Sequence, residues 1–174
     1  MSMTLIENIE IPSGSYPASV VFSSIPTDGT YTDLYLIASV RGDRSDVWES
    51  INIWPNQSSA NMTARRLYTA QPGSPGSNTT VGNFVNGNTS TSNVYGHLTV
   101  YIPNYASSNN KSMSVEFGSE GTGTVYYGIA AYLWSDTTAI SSLELDGANG
   151  LLRNLSTFTL YGITAGSDGT TVVS

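Results

Sequence analysis

The chain has 174 residues, a formal net charge of −7 and no cysteine, so disulfides, thiolate metal sites and a cysteine nucleophile are excluded. Its acidic balance argues against a protein that binds by neutralising nucleic-acid phosphates. No apolar run approaches the ~20 residues of a membrane-spanning helix, and the first residues lack the pattern of a secretion signal. We therefore expect neither a nucleic acid nor a membrane as a partner, and synthesis in a cytoplasm.

Short segments rich in strand-forming residues recur along the chain, separated by turn residues. This spacing predicts an all-β fold, an antiparallel β-sandwich with little or no helix. Strands are predicted at residues 5–11, 19–25, 33–41, 48–54, 63–69, 80–85, 94–102, 112–117, 125–134, 139–145 and 155–161. A short helix at residues 60–68 is the alternative for that segment, which Thr63 and Pro72 disfavour.

The length predicts one domain. We expect a single sandwich over residues 12–174. Residues 1–11 are expected to form an amino-terminal arm or an edge strand, because Ile6, Ile9 and Ile11 suit addition to the edge of a neighbour's sheet.

The predicted strand at residues 125–134 is apolar almost throughout, with the sequence VYYGIAAYLW. A strand of this kind is buried on both faces, or has one face covered by another subunit. The pattern leaves both alternatives open.

The charge of the chain is unevenly distributed. Residues 50–115 contain no Asp or Glu, only Arg65, Arg66 and Lys111 as charged residues, so this segment carries about +3 and the rest about −10. We expect these three residues to meet an acidic partner. Two long polar loops, at residues 86–93 and 105–111, are expected to face solvent or partners, with Tyr105 as a candidate contact.

Candidate chemical groups are few. His97 is the only histidine and falls within a predicted strand, so no second histidine completes a zinc site, and a solvated strand residue is the favoured interpretation. The carboxylates Asp43, Asp46 and Glu49 are interleaved with arginines, lack the spacing of a calcium loop, and favour a charged turn with local ion pairs. The tripeptide Arg41-Gly42-Asp43 is explained by a turn rather than by adhesion. We therefore predict no catalytic residue, no cofactor and no metal site.

Several short segments resemble small virion structural proteins of tailed phages. The matching pieces are residues 21–26 (VFSSIP), 31–36 (YTDLYL) with Arg41, 102–105 (IPNY), 140–145 (ISSLEL) and 158–163 (FTLYGI). This resemblance implies a jelly-roll-like sandwich that decorates the capsid or belongs to the tail, is often oligomeric, and carries no catalytic residue.

Together these observations favour a capsid decoration (cement) protein, a homotrimer that binds the major capsid protein on the virion surface after assembly in a host bacterial cytoplasm. The alternative is a tail-fibre or receptor-binding tip domain that recognises host glycan through the loops at residues 86–93 and 105–111. An enzyme such as a depolymerase is disfavoured by the shortage of histidine and of paired acids.

Overall fold

The computed structural model describes residues 2–71, 76–78, 81–121 and 124–164, and this part of the chain contains β-strands and no helix. The predicted all-β sandwich is therefore confirmed. The strands are β1 Ser2–Glu10, β2 Ser19–Phe22, β3 Asp33–Val40, β4 Trp48–Pro55, β5 Met62–Gln71, β6 Gly76–Asn78, β7 Asn83–Asn86, β8 Gly96–Ile102, β9 Lys111–Gly121, β10 Thr124–Trp134, β11 Leu143–Gly147 and β12 Thr157–Thr164.

The strands form two antiparallel sheets. The larger sheet has the order β1-β12-β3-β8-β9-β10-β5-β6, and the smaller has the order β2-β11-β4-β7. The pairs β1–β12, β2–β11, β3–β8 and β4–β7 join early strands to late ones, which is the wrapped-hairpin connectivity of a jelly roll. The strands β9, β10, β5 and β6 extend the first sheet beyond the jelly-roll strands.

The bounds of most strands differ from the predicted ones by a few residues, and three segments are described individually. The segment offered as a possible helix is the long strand β5, which pairs with β10 from Met62 to Gln71. The strand β6 was not predicted, because its residues Gly-Ser-Asn follow a Gly- and Pro-rich turn sequence. The strand predicted from residue 139 begins at Leu143 in the structure.

Residues 2–10 form an edge strand of the larger sheet. They pair with β12 in antiparallel register, with a bulge between Leu5 and Glu7. Ile6 and Ile9 pack against the core. In the structure these residues are therefore an edge strand of the chain's own sheet.

An aromatic cluster centred on Phe84 joins the two sheets. Its ring centroid lies 4.8 Å from Trp48, 4.9 Å from Tyr126, 5.2 Å from Tyr68 and 5.8 Å from Phe117. Phe84 and Trp48 belong to the smaller sheet, and the other three rings to the larger. Edge-to-face contacts of this kind add stability beyond the apolar area that they bury.

The glycine in the carboxy-terminal motif LYGI has a packing role. The ring of Tyr31 lies directly over Gly162, where an added Cβ would come within 2.3 Å of the Tyr31 Cγ. Only a residue without a side chain leaves room for this ring, so Gly162 allows the loop before β3 to close against β12.

Loops collect at the two ends of the sandwich. One end, which we call the loop end, carries residues 11–18, 41–47, 87–95 and 148–156. The segment 103–110 follows the far end of β8 and lies at the opposite end of the sandwich.

We predict that Phe84→Ala lowers the free energy of unfolding by about 3–5 kcal/mol, because it removes the ring shared by four aromatic contacts and leaves a cavity. Urea denaturation followed by tryptophan fluorescence measures this change. Leu151→Ala, at an exposed loop residue, is the matched control and should change the stability by less than about 0.5 kcal/mol. Equal losses in the two variants would contradict the central role of Phe84.

Candidate binding surfaces

The outer face of the larger sheet is exposed and largely uncharged. Strand β10 alternates, with Ala130, Tyr132 and Trp134 buried, whereas Ile129 and Leu133 on the other side are 53% and 42% exposed. Leu67 on the neighbouring strand β5 is 57% exposed. Of the two alternatives for this strand, burial of both faces within the chain is therefore wrong, and coverage of one face by another subunit stays a prediction.

Across the other half of this outer face runs a row of tyrosines. The strand register places Tyr161 opposite Tyr35, and Tyr35 opposite Tyr101. Leu5 on the edge strand lies opposite Tyr161 and continues the row. Tyrosines are favoured at protein interfaces because they combine a large apolar ring with a hydroxyl that tolerates water.

The charged side chains on the half of the outer face formed by β9, β10 and β5 are Arg65, Glu116 and Glu120. Arg65 is the register partner of Ala131, and Glu116 is the register partner of Ile129. The two opposite charges therefore flank the apolar part of β10. Tyr127 donates a 2.7 Å hydrogen bond to Glu116 Oε1.

The loop end contains a polar cavity of about 300 Å³, which we call the loop-end pocket. Its lining includes Tyr16, Asn88, Asn93, Tyr95, Arg153 and Asn154. These residues come from three loops that are far apart in sequence. A cavity of this volume lies at the lower end of the range for small-ligand sites.

Arg41, at the end of β3, holds the loop over this pocket. Its guanidinium group is buried and donates to the carbonyl oxygens of Thr91 at 2.6 Å, Val94 at 2.8 Å, Ser90 at 3.0 Å and Asn88 at 3.2 Å. Burial lowers the pKa of Arg41, and the charge of Arg153 adds to the effect. The group nevertheless stays protonated, since arginine is not deprotonated in proteins.

Arg153 is the second cation of the pocket. It donates from Nη1 to the side-chain oxygen of Asn88, and its guanidinium carbon lies 5.8 Å from the centre of the Tyr16 ring. Tyr95 donates through its hydroxyl to the carbonyl oxygen of Asn154 at 2.9 Å. The two hydrogen bonds fix side chains that line the pocket.

The predicted carboxylate cluster forms a charged turn at the same end of the sandwich. Arg44 and Asp46 form an ion pair at 3.3 Å, and Asp43 Oδ1 accepts from the backbone N–H of Leu151 at 2.6 Å. Among the described residues, no group of three or more His, Asp or Glu side chains is placed to hold a metal ion.

Glu49 is the buried member of this cluster. Its Oε1 accepts from the backbone N–H of Ser50 at 2.7 Å and of Asn149 at 3.3 Å. Its Oε2 has no hydrogen-bond partner within the described part of the chain. Desolvation raises the pKa of the Glu49 carboxyl group, and the hydrogen bonds from Ser50 and Asn149 oppose that rise.

Of the basic residues predicted to meet an acidic partner, only Arg65 is exposed. Arg66 is 5% exposed, lies 4.1 Å over the Phe84 ring and donates to the carbonyl oxygen of Gly82. Lys111 is 1% exposed, and its Nζ donates to the carbonyl oxygens of Asn109, Thr138 and Asp136 at 2.6, 2.9 and 3.4 Å. The docking interpretation is therefore corrected for Arg66 and Lys111, because the fold uses both charges internally.

Tyr105 is also buried and does not face a partner. Its ring is fully enclosed in the core, and its hydroxyl donates to the carbonyl oxygen of Pro26. Burial raises the pKa of Tyr105 to about 12.

The loops at residues 86–93 and 105–111 lie at opposite ends of β8, about 20 Å apart. The two predicted loops therefore do not form one site.

His97 lies on the outer face of β8 and is exposed. Its ring covers Gly118 of the neighbouring strand and lies 6.3 Å from the Tyr127 ring.

Arg41 of the Arg41-Gly42-Asp43 tripeptide is buried beneath the 87–95 loop, so the arginine of the tripeptide is not accessible to a partner.

Sequence reasoning missed the pocket residues Tyr16, Tyr95 and Arg153. Each is an ordinary loop or pre-strand residue, and no motif links them. The one available signal was Arg41, which the phage-protein resemblance included but without a role.

Comparison of the chain with protein-family models, with curated proteins and with solved structures finds no match in any of the three. The resemblance to virion structural proteins of tailed phages therefore stays a prediction. Within the described residues there is no helix of the length and hydrophobicity needed to cross a membrane.

We predict that Glu49→Gln stabilises the protein at neutral pH. Because the pKa of Glu49 is raised in the folded state, that state binds the proton more tightly than the unfolded chain. The free energy of unfolding therefore falls as the pH rises from the ordinary pKa through the raised one, and it stays lowered above it. Glutamine carries no charge and avoids this loss.

Urea denaturation at a series of pH values tests this. The advantage of Glu49→Gln should shrink as the pH falls below about 4 and should be smallest at about pH 3, where the carboxyl group is protonated in both states. Glu10→Gln, at an exposed residue, is the control and should change the stability at neutral pH by less than about 0.5 kcal/mol. A variant less stable than wild type at neutral pH would contradict the prediction.

Proposed function

We propose that this protein is a structural component of a phage virion, a capsid decoration protein whose copies associate through the outer face of the larger sheet. The observation that carries the proposal is the exposed, largely uncharged outer face, with Ile129, Leu133 and Leu67 on one half and the tyrosine row on the other. Contiguous apolar surface of this kind is uncommon on a protein that stays monomeric.

A second copy of the chain is the occupant that we propose for this face. Arg65 and Glu116 lie on either side of the apolar part of β10, so a neighbouring copy can pair each charge with the opposite one. The apolar side chains between them would supply the buried centre, and the charges the rim. The predicted homotrimer is part of the proposal, and the mass of the oligomer tests it separately.

Binding to the major capsid protein is the second part of the proposal. It loses the support of Arg66 and Lys111, which are buried, and retains Arg65 as an exposed cation. A rigid, cysteine-free sandwich built from two sheets is suited to a structural role. The proposal places the protein at the virion surface and includes no reaction.

The alternative function is a receptor-binding tip that recognises glycan through the loops at residues 86–93 and 105–111. Tyr105 and Lys111 are enclosed, so neither side chain proposed as a contact in the loop 105–111 is accessible to a glycan. The loop 86–93 instead contributes to the loop-end pocket.

We predict that Ile129→Glu converts an oligomer into a monomer, because a buried, unpaired carboxylate at the centre of an interface is strongly unfavourable. Analytical ultracentrifugation at micromolar concentration measures the mass of the wild type and the variant. Ser59→Glu, which adds the same charge to an exposed loop, is the matched control and should leave the mass unchanged.

A monomeric wild-type protein would overturn self-association. Co-sedimentation with expanded capsids of the virus that encodes the chain then tests whether the monomer binds the capsid lattice. Binding of the monomer to capsids, abolished by Ile129→Glu, would identify the capsid lattice as the occupant of the outer face. Absence of both self-association and capsid binding would overturn the proposed function.

A further inference from the structure

We propose that the loop-end pocket binds an acidic sugar, a saccharide residue that carries a carboxylate. The site is formed by loops at one end of the sandwich, whereas the proposed subunit contacts lie on strands of the outer face. The inference therefore does not depend on the function proposed above.

The described residues that line the pocket include two cations and no carboxylate. The ion pair recorded within the described residues joins Arg44 to Asp46, so neither Arg41 nor Arg153 is neutralised by a carboxylate there. Arg41 donates to the main-chain oxygen of Asn88 and Arg153 donates to the side-chain oxygen of the same residue, so the two cations lie close together. An anion in the pocket would relieve the repulsion between them.

Arg153 is the group that would meet the anion. Both terminal nitrogens of Arg41 already donate to carbonyl oxygens of the protein, so Arg153 is the better placed of the two to bind a ligand. Arg153 is only partly buried and lines the pocket. A guanidinium group matches a carboxylate in shape and can donate two parallel hydrogen bonds to it.

The rest of the lining suits the hydroxyl groups of a sugar. Asn93, Asn154 and Ser92 contribute neutral groups that both donate and accept hydrogen bonds, as hydroxyl groups require. Tyr16 is 43% exposed, so its ring offers an apolar surface against which the C–H face of a sugar ring can pack. A site for inorganic phosphate has no need of such a ring.

The pocket is also held in shape before any ligand arrives. Arg41 fixes the backbone of the 87–95 loop, and the hydrogen bond from Tyr95 to Asn154 joins that loop to the segment before β12. At the rim, Leu155 has a φ of 64°, a left-handed conformation that is unusual for leucine, and its side chain is 52% exposed. A preformed site loses less conformational entropy on binding.

The test uses the full chain and immobilised glycans. The acidic probes are oligogalacturonate and sialylated glycans, and the neutral probes are the methyl ester of oligogalacturonate and the same glycans without sialic acid. We expect the protein to bind at least one acidic probe. The affinity for its neutral counterpart should be lower by a factor of about 10 or more. Added salt should weaken the acidic binding, because it screens the charge of Arg153.

Arg153→Gln should reduce binding of the acidic probe about 10-fold or more, and Tyr16→Ala should reduce binding of both acidic and neutral forms. Arg65→Gln, which removes an arginine from the outer face, is the matched control and should bind as the wild type does. Ile129→Glu should bind the free acidic oligosaccharide in solution, measured by calorimetry, with the wild-type affinity per chain, because the avidity of an oligomer for an immobilised glycan does not enter that measurement. Loss of assembly and loss of glycan binding are thereby distinguished. Circular dichroism and the melting temperature verify that each variant is folded.

Several results would overturn the inference. These are the absence of binding to every acidic probe, equal binding of an acidic probe and its neutral counterpart, and unchanged binding by folded Arg153→Gln. Competition by inorganic phosphate at concentrations where free galacturonate has no effect would identify a general anion site and would overturn the assignment to a sugar.

Discussion

Buried cations solvated by backbone carbonyl oxygens close the loops of this sandwich. Arg41 binds four carbonyl oxygens of the 87–95 loop, and Lys111 binds three from the segments 109 and 136–138. A buried charge is costly unless polar groups replace its water shell, so each of these loops is held to the one conformation that supplies them. A hydrogen bond to a charged group contributes about 1.5–3 kcal/mol, more than one between neutral groups. Arg41 holds the backbone of the 87–95 loop, and that loop lines the loop-end pocket. The shape of the pocket therefore depends on Arg41.

The strands and the loops of the jelly roll present two different kinds of candidate binding surface. The alternating strands bury one face around Phe84 and leave the other face of the larger sheet covered with tyrosines and aliphatic side chains. The loops at one end enclose a polar cavity that carries two cations. A wide apolar face is suited to another protein surface, and a small polar cavity is suited to a small polar ligand. The two sites are therefore different in chemistry as well as in place.

The strands could be predicted from the sequence because their pattern is local. In residues 33–40, apolar side chains alternate, and Leu34, Leu36, Ala38 and Val40 are the ones that the fold buries. Arg66 and Lys111 were assigned to the surface because lysine and arginine are rarely buried, and the carbonyl groups that solvate Lys111 come partly from residues 136 and 138. Partners this distant in sequence cannot be inferred from composition or from the spacing of residues. The pocket could not be predicted for the same reason, because its lining combines Tyr16, Asn88 and Arg153 from three separate loops.

The bonds made by Arg41 involve only main-chain oxygens of the 87–95 loop. Every amino acid has such an oxygen, so exchange of one Asn, Ser or Thr for another at the tip keeps the same anchor. Evolution can therefore alter the chemical specificity of this loop, residue by residue, on a backbone that does not change its path. One buried arginine can thus hold the same loop backbone beneath side chains of different chemistry at the rim of the pocket.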